Sequence, residues 1–224
     1  MKFRNEKAVI FDFNGTMYFD KEINDIAWLA IINELSRKRI EDINTFSKGM
    51  ATYQDTQFAR SILRKLGLSC DDEAIRNVWT RKEEIYIALA KERKMFSLVP
   101  GLPDYLDHLK DENIPVNIAS LAPRMNFDFY FEYLYLGRWF DLDKIVYDDC
   151  ESYDSKVPMY LKSAENIGVK MQDCLVFEDS DTGVQDAKKA GCTQVIQIYR
   201  KDRKPILDEI VIGRISDYTE LLHR

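Results

Sequence analysis

Five short runs of nearly continuous apolar residues divide the sequence, and segments with helical periodicity lie between them. Apolar runs without a polar alternation are typical of parallel strands that are covered on both faces. Strands that alternate with helices predict an α/β fold with a doubly wound parallel sheet. The predicted strands are Ala8–Phe11, Val116–Ala119, Ile145–Tyr147, Leu175–Phe177 and Val195–Ile198, and the predicted helices include Pro103–Asp111, Pro158–Asn166 and Thr182–Ala190.

The alternation is interrupted once, between the first and the second predicted strand. This segment is much longer than a connection between two parallel strands requires, and its apolar residues recur at helical spacing. We therefore predict an inserted α-helical domain at residues 21–96, with residues 1–20 and 97–224 forming the α/β core domain. Its two predicted apolar stripes are Ile23, Ile26, Ala27, Ala30, Ile31 and Leu35, and Ile75, Val78, Trp79, Ile85, Tyr86 and Leu89.

The composition excludes several classes of function. The formal net charge of -6 argues against nonspecific nucleic-acid binding, which needs a basic surface. The longest apolar run, Ile26–Ile32, is too short to span a membrane, and the first residues lack the apolar core of a signal peptide, so we expect a cytoplasmic protein. The four cysteines are too widely spaced for a zinc site and are expected to be free thiols. Both histidines are expected at the surface, which leaves carboxylates and lysine for chemistry.

Polar residues stand at the ends of three predicted strands and before one predicted helix. In a doubly wound sheet, ligands bind outside the carboxyl ends of the strands, so we expect these side chains to converge. They are Asp12 and Asn14-Gly15-Thr16 after the first strand, Ser120 after the second, Glu178 and Asp179 after the fourth, and Lys156 before the helix Pro158–Asn166.

This set of groups suits phosphoryl transfer. Converging carboxylates repel one another and need a cation, and oxygen ligands favour Mg²⁺. An ammonium and a small hydroxyl beside that ion suit a phosphoryl group, with Asp12 as the nucleophile that forms an aspartyl phosphate. Each residue also has a structural interpretation, because Asp12, Ser120 and Asp179 are suited to capping a turn or a helix. Their order after separate core elements favours the functional interpretation.

Four segments, "DFNGT", "IAS", "SKVPMY" and "VFEDSDTGVQDAKKAG", resemble in order the four motifs of the haloacid dehalogenase-like hydrolase superfamily. The branch that they resemble includes beta-phosphoglucomutase, phosphonoacetaldehyde hydrolase and many sugar-phosphate phosphatases. The resemblance covers nearly the whole chain and implies a Rossmann-like core with an inserted α-helical cap domain. It also implies Mg²⁺ as the cofactor and a small phosphorylated metabolite as the substrate. The oligomeric state stays open between a monomer and a homodimer.

The resemblance implies a role for each matched residue. Asp12 is the nucleophile and a metal ligand, and the backbone carbonyl of Asn14 is a second ligand. Asp179 also binds the metal, and Glu178 binds it directly or through water. Ser120 and Lys156 bind the phosphoryl oxygens, and Thr16 supports the loop. Specificity is expected from the cap surface around Phe46–Tyr53, where Lys48 is a candidate substrate-binding residue.

The sequence departs from the family at Asn14, where phosphatases and mutases carry an aspartate that serves as general acid and base. An amide can do neither, and losing such a group costs roughly 10²–10⁴ in rate. Four explanations stay open. The first is that the substrates have leaving groups that need no proton, such as acyl or aryl phosphates, and the second is that the protein is a weak phosphatase that mainly binds a phosphorylated metabolite. The third is that the residue is an engineered Asp→Asn change. The fourth is that deamidation at Asn14-Gly15 restores the aspartate in a fraction of molecules.

Other activities of this branch fit the sequence less well. Phosphonate cleavage needs a Schiff-base lysine in the cap, for which only Lys48 in "FSKGMAT" is a loose candidate. The mutase has an arginine shortly after a Lys-Gly pair, where this chain has Met50-Ala51-Thr52. The sequence therefore predicts a Mg²⁺-dependent phosphatase-like hydrolase, with a catalytically weak or inactive phosphometabolite-binding protein as the alternative.

Overall fold

The computed structural model of the protein describes residues 7–43, 55–92, 96–148, 155–200 and 204–222. The chain divides into two compact units, one made of residues 1–19 and 97–224 and the other of residues 20–96. The first unit contains the sheet, and the second is helical. In the part of the chain that the structure describes, no helix has the length and apolar character needed to cross a membrane.

Across the described residues, the sheet has six strands in the order β3-β2-β1-β4-β5-β6, and every neighbouring pair is parallel. The predicted α/β fold with a parallel sheet and a helical insertion is thereby confirmed. The central strand β1 is buried along its whole length, as its continuous apolar sequence predicts. The strands are β1 (Ala8–Phe11), β2 (Val116–Pro123), β3 (Val146–Asp148), β4 (Cys174–Glu178), β5 (Gln194–Ile198) and β6 (Val211–Ile215).

Helices connect most of the strands, and they are the regular secondary structure of the second unit in its described residues. The described helices of the second unit are α1 (Lys21–Ser36), α2 (Asp55–Lys65) and α3 (Asp72–Glu92). Those of the first unit are α4 (Leu102–Asp111), α5 (Arg124–Tyr133), α6 (Val157–Asn166), α7 (Asp181–Lys189) and α8 (Thr219–Leu222), with 3₁₀ turns at Leu136–Arg138 and Met171–Asp173.

Helix α7, which follows β4, is capped at both ends. The Ser180 hydroxyl accepts a hydrogen bond from the Gly183 N–H at 3.0 Å, as an N-cap residue does. Beyond the other end, Gly191 adopts a φ of 95°, and the Cys192 N–H donates to the Ala187 carbonyl at 3.0 Å. This pattern is a Schellman motif, which favours glycine. The Ser180 cap fixes where α7 begins and therefore where the residues after β4 lie, and the Schellman motif fixes where α7 ends.

The helical unit has its own core, in which Trp28 of α1 packs edge-on against Phe58 of α2. A buried ion pair accompanies it, because Lys82 Nζ lies 2.7 Å from Asp55 Oδ2 and 3.0 Å from Glu83 Oε1. The predicted stripe of α1 was wrong at Ile26, which is 45% exposed. Trp28 and Ile32 are buried instead, so the apolar face of α1 is rotated toward them.

Three cysteines, Cys70, Cys174 and Cys192, are free thiols. His108 is exposed on α4. Cys150 and His223 lie outside the described residues, so their predicted states stay predictions.

Candidate active site

Asp12 and Lys156 form a buried ion pair at the carboxyl end of the central strand. Asp12 directly follows β1, and its N–H donates to the Phe177 carbonyl of β4 at 3.0 Å. Lys156 Nζ lies 2.5 Å from Asp12 Oδ1, and each side chain is only 8% exposed. Because both charges are removed from water, each would be strongly destabilising without the other.

Glu178, the last residue of β4, is enclosed, and protein groups already occupy both of its carboxylate oxygens. Oε1 accepts from Lys156 Nζ at 2.7 Å and from the Tyr160 hydroxyl at 3.1 Å. Oε2 accepts from the N–H groups of Asp179 and Ser180, both at 2.8 Å, and from the Ser180 hydroxyl at 3.0 Å. Glu178 therefore orients both the Lys156 ammonium and the first residues of α7.

Asp12, Glu178 and Asp179 form an acidic group that could hold a metal ion. One oxygen from each side chain lies within 4.8 Å of the others, and all three residues are buried. Lys156 can balance only one of the three negative charges. In addition, Asp12 Oδ2 is buried without a hydrogen-bond partner among the described residues, which is costly for a carboxylate oxygen. A hard divalent cation would satisfy that oxygen and the remaining charge, so these residues fit Mg²⁺.

The loop after Asp12 turns sharply and packs on Asp179. Gly15 adopts a φ of +86°, and a Cβ atom built on it would lie 2.2 Å from Asp179 Oδ2. The Gly15 N–H donates to the Tyr18 carbonyl at 2.8 Å and closes the turn. Only glycine combines this dihedral angle with so close an approach.

The Asn14 amide is half-buried, and its Nδ2 donates to the Tyr130 hydroxyl at 3.4 Å. Tyr130 belongs to α5 and stacks on Phe13, with ring centroids 4.3 Å apart. The Asn14 side chain therefore contacts the Tyr130 hydroxyl, whose ring is held in place by stacking on Phe13.

The two predicted hydroxyl residues, Ser120 and Thr16, are both buried. Ser120 lies two residues beyond Ile118, the β2 partner of Phe11, and its Oγ accepts from the Ala122 N–H at 3.2 Å. It lies within β2, since this strand continues to Pro123, beyond its predicted end at Ala119. Thr16 is fully buried, and its Oγ1 has no hydrogen-bond partner among the described residues. The whole segment Phe46–Tyr53, with the predicted cap residue Lys48, lies outside the described residues.

Burial and the ion pairs shift the ionisation of the site. Burial raises the pKa of Asp12 to about 6, although the Lys156 charge opposes this shift. Burial alone would raise the pKa of Glu178 as well, but the Lys156 charge and the hydrogen bonds outweigh it and lower the pKa. For Lys156, the charges of Asp12 and Glu178 outweigh burial and raise the pKa. The lysine is thus a permanent cation at neutral pH.

Two residues that the sequence analysis did not single out also contact this group. Tyr160 donates to Glu178 and lies under Lys156, whose Nζ is 5.4 Å from its ring centroid. Its spacing of four residues from Lys156, one helical turn, was an available signal. Asp186 accepts from the Lys156 N–H at 2.8 Å. A lone carboxylate on an amphipathic helix is normally at the surface, so no sequence signal predicted this contact.

Comparisons with known proteins identify the family of the chain. Residues 6–191 match the family of haloacid dehalogenase-like hydrolases. The chain is 28% identical over 225 residues to a beta-phosphoglucomutase of Bacillus subtilis, covering 97% of this chain and 94% of that protein. It is 23% identical over 213 residues to a phosphorylated carbohydrates phosphatase of Thermotoga maritima, covering 94% of each. Among solved structures, a haloacid dehalogenase hydrolase of family IA from Entamoeba histolytica aligns with a TM-score of 0.82 and 26% identity, covering 95% of this chain and 94% of that one.

Proposed function

The chain belongs to the haloacid dehalogenase-like hydrolases, and on that premise we propose that it is a Mg²⁺-dependent phosphatase-like hydrolase of small phosphorylated metabolites. Phosphorylated sugars are one candidate substrate class, because the names of the Bacillus and Thermotoga relatives both refer to phosphorylated carbohydrates.

The observation that carries the proposal is the contact of Lys156 with Asp12 and Glu178 beside Asp179. The 2.5 Å and 2.7 Å contacts place one ammonium between two carboxylates, all of them shielded from water. A buried cation beside a carboxylate with one unpaired oxygen is suited to receive a phosphoryl group, because it attracts the phosphoryl oxygens and holds the nucleophile in place.

In this proposal the Asp12 carboxylate attacks phosphorus and forms an acyl phosphate while the bond from phosphorus to the ester oxygen breaks. The leaving oxygen departs as an anion and takes its proton from solvent, because Asn14 cannot donate one. Water then hydrolyses the acyl phosphate, which releases inorganic phosphate and regenerates the Asp12 carboxylate. Lys156 and Ser120 bind phosphoryl oxygens, and the buried Thr16 supports the loop. A bound Mg²⁺ would be held by Asp12, Asp179 and the Asn14 carbonyl, with Glu178 acting through water, and would neutralise phosphoryl charge. Water mediation suits Glu178, because five protein donors already surround its oxygens.

Asn14 limits the substrates that this arrangement hydrolyses well. The amide cannot protonate a leaving alcohol, nor can it deprotonate the attacking water. Acyl and aryl phosphates leave as stabilised anions and avoid the first of these steps. We therefore expect them to react faster than sugar phosphates.

A second candidate function is binding of a phosphorylated metabolite with little or no turnover, and Asn14 is the observation that favours it. The Lys156, Asp12 and Asp179 groups do not depend on a proton donor, so they could bind phosphate in either case.

Hydrolysis of a series of phosphate esters with graded leaving-group pKa, measured with and without Mg²⁺, separates the two functions. A working hydrolase gives rates that fall steeply as the leaving-group pKa rises. Asp12→Asn is the inactive control, and Asp181→Asn, at an exposed position on α7, is the matched control that keeps activity. If no ester reacts while inorganic phosphate still binds in the presence of Mg²⁺, the binding function is correct.

A further inference from the structure

The backbone of Lys156 is held by the side chain of Asp186, a residue of α7. Asp186 Oδ2 accepts from the Lys156 N–H at 2.8 Å, and Asp186 is only 2% exposed. Its other oxygen lies 3.4 Å from Lys189 Nζ, three residues further along α7. Aspartate is rarely buried to this extent unless it is paired, so its position calls for a physical reason.

The reason lies in α6, which has no anionic cap of its own. Its N-cap residue is Lys156, whose side chain makes no capping hydrogen bond, and its first turn contains no acidic residue. In a capping box, a glutamate or glutamine at the third helical position bonds to the N-cap N–H. That position is Met159 in α6, which cannot accept such a bond. Asp186 supplies the missing carboxylate from the neighbouring helix and faces the positive end of the α6 dipole.

Lys156 is consequently held at both ends by one strand–helix unit, β4 with α7. Glu178 at the end of β4 binds the side-chain Nζ at 2.7 Å, and Asp186 binds the backbone N at 2.8 Å. The Ser180 cap fixes α7 relative to β4. The placement of the ammonium against Asp12 therefore depends on a residue that does not itself contact Asp12 in the described contacts.

We propose that Asp186 is a positioning residue, which fixes the start of α6 so that the Lys156 ammonium reaches Asp12 and the phosphoryl group. The second half of this inference rests on the proposed function. Without Asp186, the first turn of α6 loses its capping acceptor, and the buried lysine loses one of its two fixed points.

The test compares the native protein with Asp186→Ala, Asp186→Asn and Asp181→Ala. Asp181 is the matched control, because it is an exposed carboxylate in the first turn of the same helix. Two properties are measured: the affinity for inorganic phosphate with Mg²⁺ by calorimetry, and the acetylation of Lys156 by an amine-reactive reagent, mapped by mass spectrometry. Acetylation does not depend on activity.

We expect Asp186→Ala to weaken phosphate binding by about tenfold to a hundredfold, the range for losing a hydrogen bond to a charged group. Acetylation of Lys156 should rise in the same variant, whereas the buried Lys82 of the helical unit should stay protected. Asp186→Asn keeps an oxygen acceptor without the charge and should show smaller changes of the same sign. Asp181→Ala should behave as the native protein does.

Native phosphate affinity and native protection of Lys156 in Asp186→Ala would overturn the inference. If Asp186→Ala does not fold, Asp186→Asn decides the question with the same two measurements. If the native protein itself binds no phosphate, the proposed function is wrong, and the acetylation of Lys156 still decides whether Asp186 positions it.

Discussion

Gly15 approaches Asp179 so closely that a Cβ atom on Gly15 would lie 2.2 Å from Asp179 Oδ2. The loop that carries Asn14 and the loop that carries Asp179 are thus in direct contact, although they follow different strands. A site built from both loops tolerates no side chain at position 15.

Gly15→Ala should therefore impair the binding of Mg²⁺. Gly168→Ala is the matched control, because Gly168 also has a positive φ, +72°, but among the described residues, its two chain neighbours apart, no atom lies within 4 Å of a Cβ built there. Both variants should lose unfolding free energy through backbone strain, about 1 kcal/mol for Gly168→Ala and more for Gly15→Ala, whose added methyl group also clashes with Asp179. Denaturant unfolding measures both losses. Only Gly15→Ala should also lose Mg²⁺ affinity, measured by calorimetry. Equal Mg²⁺ affinities in the two variants would show that the contact with Asp179 does not shape the site.

Asn14→Asp should raise turnover of alkyl phosphates by roughly 10²–10⁴, because it restores a general acid and base. The Tyr130 hydroxyl, which now accepts from Asn14, would be able to donate to the new carboxylate. Steady-state rates with a sugar phosphate and with an aryl phosphate test this, and the gain should be smaller for the aryl ester. Asn14→Asp combined with Asp12→Asn is the control and should be inactive. An unchanged rate in the single variant would favour the binding function.

Lys156→Met should destabilise the protein by about 3–5 kcal/mol, because it leaves Asp12 and Glu178 buried without their cation. Denaturant unfolding measures the loss, and Lys162→Met, at an exposed position on the same helix, is the control that should cost little. Adding Glu178→Gln to Lys156→Met should recover part of the stability without restoring phosphate binding. A loss no larger than that of Lys162→Met would contradict the importance of the buried pair.

Mg²⁺ affinity should fall in acid. Burial raises the pKa of Asp12 to about 6 in the metal-free protein, and a protonated carboxyl is a poor ligand. Binding is therefore at full strength above the pKa of Asp12 and weakens by about tenfold per pH unit below it, for one competing proton. Calorimetric titrations with Mg²⁺ on both sides of this pKa would measure the slope. A flat profile through this range would mean that Asp12 is not a ligand.

Deamidation at Asn14-Gly15 should be slow in the folded protein. The reaction requires the Gly15 nitrogen to attack the Asn14 side chain, and the Gly15 N–H is held by the Tyr18 carbonyl at 2.8 Å. Peptide mapping of aged protein should show an unshifted mass at this site, while a synthetic peptide "DFNGTMY" deamidates. Equal rates in protein and peptide would support restoration of the aspartate by deamidation.

The fold was largely predictable, because the sequences of buried parallel strands are continuous apolar runs. The strand β6 was not predicted. Its sequence, "VIGRI", contains a glycine and an arginine, and at the edge of the sheet only its last residue is buried. Such a strand is specified by pairing with β5 rather than by its own composition.

The site was predictable to the extent that strand ends supply its side chains. Asp12, Lys156, Glu178 and Asp179 do come together, whereas their chemical roles stay predictions. The contacts of Glu178 with its five donors and of Asp186 with the Lys156 backbone were not predictable. Each contact depends on how β4, α6 and α7 are placed relative to one another, and local sequence patterns do not predict that placement.

The pairing of β1 with β4 joins Ala8 to Cys174, two residues that are far apart in the sequence. A ribosome has therefore produced most of the polypeptide before Asp12, the proposed nucleophile, can meet Glu178. Contacts between such distant segments form late, because closing the intervening loop costs conformational entropy before the contacts can stabilise the chain. In truncated or newly synthesised chains, the segment "DFNGT" should therefore have no activity until β4 has paired with β1.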